Sequence, residues 1–109
     1  MAFSEKTADL INQLVSAEYN NACEHFGDKY NSLHEGFAVL LEEIEEVKEQ
    51  HKKLRLIKSI WIEIKNNASE KLIESTLLLM HASIKLEIAE LAQSAAVVEK
   101  MLNTIGGEK

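Results

Sequence analysis

Three observations predict an all-α chain, an antiparallel helical bundle with two long helices and a shorter N-terminal one. Proline is absent, and the four glycines, Gly27, Gly36, Gly106 and Gly107, confine the usual helix breakers to three places. Apolar residues recur at spacings of three and four along most of the chain, while strand-type alternation between turn signals is missing. Apolar types make up 46% of the 109 residues, enough for the core of a single domain over 1–109.

The first helix is expected to start near Ser4, an N-cap with Thr7 at the third position, and to run to Phe26, with Gly27 as its stop. Leu10, Ile11, Leu14, Val15, Tyr19 and Ala22 give it one apolar face. Cys23 and His25 are two residues apart, a spacing that points them in different directions on a helix, so both are read as structural. After a short connection over 28–31, Ser32 and Glu35 have the capping-box pattern, which starts the second helix at Leu33.

Along that helix Leu33, Phe37, Leu40, Leu41, Ile44 and Val47 stack on one side and are expected to face a core. The stripe continues through Leu54, Ile57, Trp61 and Ile64 with no Gly or Pro to end it. A single helix to about Lys65, roughly 50 Å long, is the economical expectation. The polar patch at 50–53 is the place where a kink could fall instead. Trp61 lies in the regular stripe and is read as core or interface rather than as a platform for a base.

Asn66-Asn67-Ala68-Ser69-Glu70 is the turn signal of the second half, with Asn67 or Ser69 as the cap of the third helix. That helix is expected to reach about Thr104 and stop at Gly106-Gly107. Long helices joined by short turns run antiparallel, and one short helix cannot cover both arms. A homodimer or homotetramer, formed through the stripes containing Ile57, Trp61 and Ile64, is therefore expected.

A formal net charge of -6 disfavours nucleic acid as a partner, although Lys52, Lys53, Arg55 and Lys58 form a local basic run. One cysteine excludes an intramolecular disulfide framework, and the N-terminus lacks a basic segment followed by an apolar one. A cytoplasmic protein is the expectation. No membrane association is expected either, because the strongest apolar run, 77–80, falls far short of the roughly 20 residues that span a bilayer.

The chemistry-bearing residues are acidic. Glu43 and Glu46 share one shoulder of the second helix, with Cβ atoms about 5 to 6 Å apart, near enough to hold one hard cation together. A solvated acidic helix face gives the same pattern. Over 88–102 the third helix is apolar nearly all round: Ile88, Ala92, Ala95 and Leu102 cover one side, and Val97 and Met101 the other. Such a helix is expected to be buried on most of its circumference. Glu90 projects between Val97 and Met101, with Glu87 and Ser94 on the adjoining line and Gln93 on the other shoulder. A buried carboxylate must be protonated, paired with a cation such as Lys85, or bound to a metal. Acids gathered from two antiparallel helices make an oxygen-donor cage of the kind Mg²⁺ accepts together with substrate phosphates.

The segment His34-Glu-Gly-Phe-Ala-Val-Leu-Leu-Glu42 followed by Glu43-Ile-Glu-Glu46, and then Ala89-Glu90-Leu-Ala-Gln93-Ser-Ala-Ala96, resembles the MazG-like all-α nucleoside triphosphate pyrophosphohydrolases, above all their small phage and prophage members. The likeness runs loosely from the first helix to Leu102 and is most specific over 31–47. It implies that a Glu-x-x-Glu pair and a Glu-x-x-Asp pair bind Mg²⁺, with Mn²⁺ as an alternative. Water then attacks the α-phosphate of a nucleoside triphosphate to give the monophosphate and pyrophosphate. Carried over by position, Glu43 and Glu46 match the first pair and Glu90 the first acid of the second.

Gln93 stands where the family has an acid, and Glu87 with Glu90 forms an alternative pair one turn earlier, so the implied ligand set is Glu43, Glu46, Glu87 and Glu90. The segment between the two acidic pairs is also long for the family at large. Glu42 or Glu46 is the candidate carboxylate that activates water, Lys48, Lys52 and the run to Lys58 are candidate phosphate contacts or else surface ion pairs, and His34, in the first helical turn, is read as a polar surface residue with a place behind the ligands as the alternative. The competing expectation is a non-catalytic helical oligomer that keeps the bundle without turnover, which Gln93 favours. A di-iron bundle is excluded, because none of His25, His34, His51 and His81 has a Glu three residues before it.

Overall fold

The computed structural model describes residues 3–108, which form helices joined by short turns, with no strand among them. Helix α1 spans Glu5–Phe26, α2 Leu33–Lys52, α3 Leu56–Lys65 and α4 Glu70–Glu108, and a single 3₁₀ turn, Lys53–Arg55, separates α2 from α3. None of these helices is long and apolar enough to cross a membrane.

Local chemistry sets most of these limits. Ser4 Oγ accepts the Thr7 N–H at 3.1 Å and opens α1. Gly27 closes it at φ 79° and ψ -179°, a backbone conformation essentially reserved to glycine, while its N–H reaches Cys23 O at 2.9 Å. Ser32 Oγ accepts the Glu35 N–H at 3.2 Å, and the Glu35 carboxylate accepts from Asn31 Nδ2. At the far end of the molecule Asn67 takes a positive φ of 54°. Its N–H bonds Ile64 O while the Ala68 N–H bonds Glu63 O, the paired closure that satisfies the last carbonyls of α3. Ser69, not Asn67, caps α4, its Oγ accepting the Leu72 N–H at 3.2 Å.

Two helix expectations are corrected. The expected single helix over 33–65 breaks in the polar patch. There Lys53 N–H reaches Gln50 O and Leu56 N–H reaches Lys53 O, bonds to the third rather than the fourth residue back. The apolar stripe lapses between Val47 and Leu54, so nothing there requires the α-helical phase, and the tighter winding re-aims α3. At the other end, α4 passes through Gly106 instead of stopping. Glycine weakens a helix by about 1 kcal/mol but terminates it only where the backbone turns left-handed, and Gly106 does not.

Helix α4 is the spine. Its 39 residues span about 58 Å at 1.5 Å each, against a longest molecular dimension of 62 Å. Helices α2 and α3 pack antiparallel along it. Tyr30 N–H donates to Thr104 Oγ1 at 2.8 Å, His51 Nδ1 to Glu87 Oε1 at 2.7 Å, and Thr76 Oγ1 to Glu63 Oε2 at 3.0 Å, in steadily reversed order. Helix α1 lies against the C-terminal part of α4, where Asn103 Nδ2 donates to Tyr19 Oη and to Asp28 O. The result is a three-helix head, made by α1, α2 and the second half of α4, and a two-helix arm, made by α3 and the first half of α4.

The face of α2 turned to α4 is the expected one only in part: of the expected stripe Leu33, Leu40, Ile44 and Val47 are half-buried, and Phe37 and Leu41 are not. Leu33, Gly36, Leu40, Glu43, Val47 and Gln50 form the covered line, whereas Phe37 and Leu41 are 59% and 46% exposed. Both lines have helical spacing, and the one with glycine wins because it lets the helices come close. A Cβ added at Gly36 would stand 2.7 Å from Met101 Cγ and 3.0 Å from the Tyr30 ring. Over 88–104 of α4 the buried residues are Ala92, Ser94, Ala96, Val97, Lys100 and Thr104, while Ile88 and Leu102 face outward, so that stretch is covered on fewer sides than its composition suggests. Gly36→Val should lower stability by about 1–3 kcal/mol, the usual cost of overpacking. A urea titration checks this, and an unchanged midpoint would contradict the close approach.

Candidate metal centre

Because Gly36 draws α2 onto α4, the acidic shoulder of α2 meets Glu90. Glu43, Glu46 and Glu90 each offer one carboxylate oxygen, and these atoms lie within 4.8 Å of one another. Two oxygens on one cation are at most twice a metal–oxygen distance apart, about 4.2 Å for Mg²⁺ and about 5 Å for Ca²⁺, so a few tenths of an ångström of closure brings the set into range. Glu43 Oε2 and Glu90 Oε2 are buried with no hydrogen-bond partner. An orphaned buried acceptor costs roughly 1–3 kcal/mol, more when charged, so each needs a proton or a cation. The donor set, all carboxylate oxygen, fits a hard divalent ion.

Electrostatics agree with that geometry. Burial is the first cause that pushes the Glu43 carboxyl above the ordinary carboxylate range, followed by the neighbouring charges of Glu46, Glu90, Glu42 and Glu18. Glu90 is raised by burial, then by its contact with Glu46 and the charges of Glu46 and Glu18. A carboxyl with a raised folded-state pKa binds its proton more tightly folded than unfolded. The metal-free protein should therefore lose stability as pH rises from the ordinary carboxylate range through the raised values of these two groups. Urea midpoints measured across that window should fall with pH once chelator is present, and a rise would contradict the crowding of these acids.

Glu18 is the residue near the cluster that the sequence did not single out. It sits on the α1 line Ile11, Leu14, Val15, Glu18, Ala22, and a carboxylate interrupting an apolar stripe was the available signal. With Asn21 and His25 it lines a groove of about 620 Å³ between α1 and α2, floored by Gln93, Ala96, Val97 and Lys100 of α4 and reaching Glu43. Lys100 is buried there, its Nζ 4.4 Å from the centroid of the Tyr30 ring.

No family model, curated protein or solved structure matches the chain.

Of the other expected site residues, Glu42, Lys48 and Lys52 line a second hollow of about 490 Å³ together with Glu46 and Glu90. The three-carboxylate cluster thus stands between the groove and the hollow. Lys52 Nζ is 2.8 Å from Glu49 Oε1. Lys53, Arg55 and Lys58 do not line that hollow, and His34 and Lys85 are exposed. Glu87 lies outside the cluster, hydrogen-bonded to His51 one turn away, and Gln93 faces the groove beside Glu43.

Proposed function

We propose that the protein is a divalent-metal-dependent nucleoside triphosphate pyrophosphohydrolase of the MazG-like kind, and the observation that carries this reading is the convergence of Glu43, Glu46 and Glu90 with two of their oxygens buried and unpartnered. These three carboxylates would hold Mg²⁺ or Mn²⁺, which when bound would offset phosphate charge and acidify water. Lys48 and Lys52 are the cations of the hollow, which also carries Glu42, Glu45, Glu46, Glu49 and Glu90, so a triphosphate placed there would be held chiefly through the metal. The groove reaching Glu43 is large enough for a nucleoside and offers Asn21, Tyr30 and Gln93 to it. Glu42, on the same hollow and outside the ligand set, takes the proton of the water that attacks the α-phosphorus. The bond to the β-phosphate breaks, and pyrophosphate and the monophosphate leave.

A second reading, a bundle that keeps this architecture as an interaction protein, is favoured by Gln93 and by the engagement of Glu87 with His51, which leave the cluster at three acids. Pyrophosphate release from a panel of nucleoside triphosphates, with Mg²⁺ and with Mn²⁺, separates the two. Metal-dependent release from at least one nucleotide supports the enzyme, and no release from any favours the interaction protein.

A further inference from the structure

Among the described residues the most buried charged side chain lies in the groove, not at the cluster. Lys100 is 4% exposed, although lysine is one of the residues least often buried. Its surroundings are tied together through Thr104, itself 2% exposed. The Thr104 hydroxyl donates to Lys100 O at 2.9 Å and accepts the Tyr30 N–H at 2.8 Å, which fixes the lysine's turn of α4 against the residue whose ring its amine covers.

Lys100 lies seven residues beyond Gln93 on α4, about 10 Å at 1.5 Å each, and so at the opposite end of the groove from Glu43. The α2 wall runs the same way, from Glu43 through Val39 to Glu35. A nucleotide whose phosphates meet the cluster extends its base along this line. In a pyrimidine nucleotide the exocyclic group across the ring from the ribose-bearing nitrogen then leads; in a purine nucleotide the corresponding group stands at the far corner of the six-membered ring. That group is an oxygen in uracil, thymine, guanine and hypoxanthine and an amino group in cytosine and adenine. A lysine ammonium has three donors and no acceptor. It bonds the oxygen, whereas facing an amino group it sets donor against donor where neither reaches water. Glu35, the carboxylate at that end, is exposed and accepts from Asn31 Nδ2 at 3.0 Å, so the acceptor stands at the mouth and the donor on the floor.

We infer that Lys100 is a specificity-determining residue that reads the oxygen of a keto base, so that the groove takes nucleotides of uracil, thymine, guanine or hypoxanthine in preference to those of cytosine or adenine. This rests on the proposed placement of the phosphates at the cluster and the nucleoside in the groove.

The test uses pairs that differ at this group and in the proton of the adjacent ring nitrogen, uridine against cytidine and inosine against adenosine. Calorimetric dissociation constants of the four nucleoside monophosphates, taken on the full chain with Mg²⁺, need no turnover, and kcat/KM for the four triphosphates reads the same choice during reaction. The native protein should favour the keto member of each pair about tenfold or more, the usual worth of one hydrogen bond to a charged group. Lys100→Met keeps an unbranched chain without the donors and should level each pair by weakening the keto member. Lys100→Gln, whose amide both donates and accepts, should level them by improving the amino member. A native protein indifferent to the pairs, or one that binds none of the monophosphates, overturns the inference, and so does either folded variant with the native ratios. Preference among the monophosphates without any pyrophosphate release supports this inference and removes the enzyme. Release from uridine and cytidine triphosphates at equal kcat/KM does the reverse.

Discussion

Millimolar Mg²⁺ or Mn²⁺ should raise the melting temperature of the native protein. The folded state crowds Glu43, Glu46 and Glu90 and buries two of their oxygens without partners, whereas the unfolded chain holds the same carboxylates apart in water. A cation bound only by the folded state stabilises it by about 2.7 kcal/mol at a hundredfold excess over its dissociation constant. For a domain of this size that is on the order of 10 °C. Glu46→Gln and Glu90→Gln should each abolish the response and, because one of three crowded charges is gone, raise the melting temperature measured in chelator. Gln93→Asp should enlarge the response, since Glu87 is taken by His51 and leaves the fourth place open. Thermal scans with and without metal check all four proteins, and a Glu90→Gln protein that responds like the native one would contradict the site.

The second large effect is on turnover. On the proposed function each carboxylate of the cluster would set charge where the reaction needs it, and loss of one preorganised electrostatic contact typically costs about 10²–10³ in rate. Glu43→Gln, Glu46→Gln and Glu90→Gln are each expected to reduce pyrophosphate release by that much. Lys48→Ala, which would remove the proposed phosphate contact beside the cluster, should act mainly on KM, and Lys85→Ala, at an exposed residue of the arm, should do nothing. Equal losses from Lys85→Ala and Glu90→Gln would show that the assay reports stability rather than chemistry.

Both effects depend on features that the sequence reveals unevenly. Ser4, Gly27 and Ser32 mark helix limits through side-chain and backbone chemistry confined to a single turn, and they are legible without any tertiary context. The break at Lys53–Arg55 is not, because no glycine or proline makes it; it follows from a gap in the apolar stripe. Gly106 misleads in the opposite way, since a glycine ends a helix only by turning left-handed, and nothing in the local sequence says whether it will.

The face of α2 was the harder choice. Phe37 and Leu41 form the more apolar line, but the line of Gly36 and Glu43 allows the closer approach to Met101, and periodicity cannot rank closeness. That rotation is what brings Glu43 and Glu46 to Glu90 and leaves Phe37 on the surface. Glu90 was legible because an acid amid Val97 and Met101 needs a partner. Glu18 was not singled out, because its interruption of a short apolar stripe gains meaning only when α2 and α4 stand opposite.

The most direct measurement is the anomalous scattering of Mn²⁺ in crystals grown with the ion. A single strong peak bounded by carboxylate oxygens of Glu43, Glu46 and Glu90, absent from Glu90→Gln crystals, is the expected result. Crystals at saturating Mn²⁺ with no peak between these three side chains, or with peaks only on other surface acids, would contradict the assignment of this cluster as the metal centre.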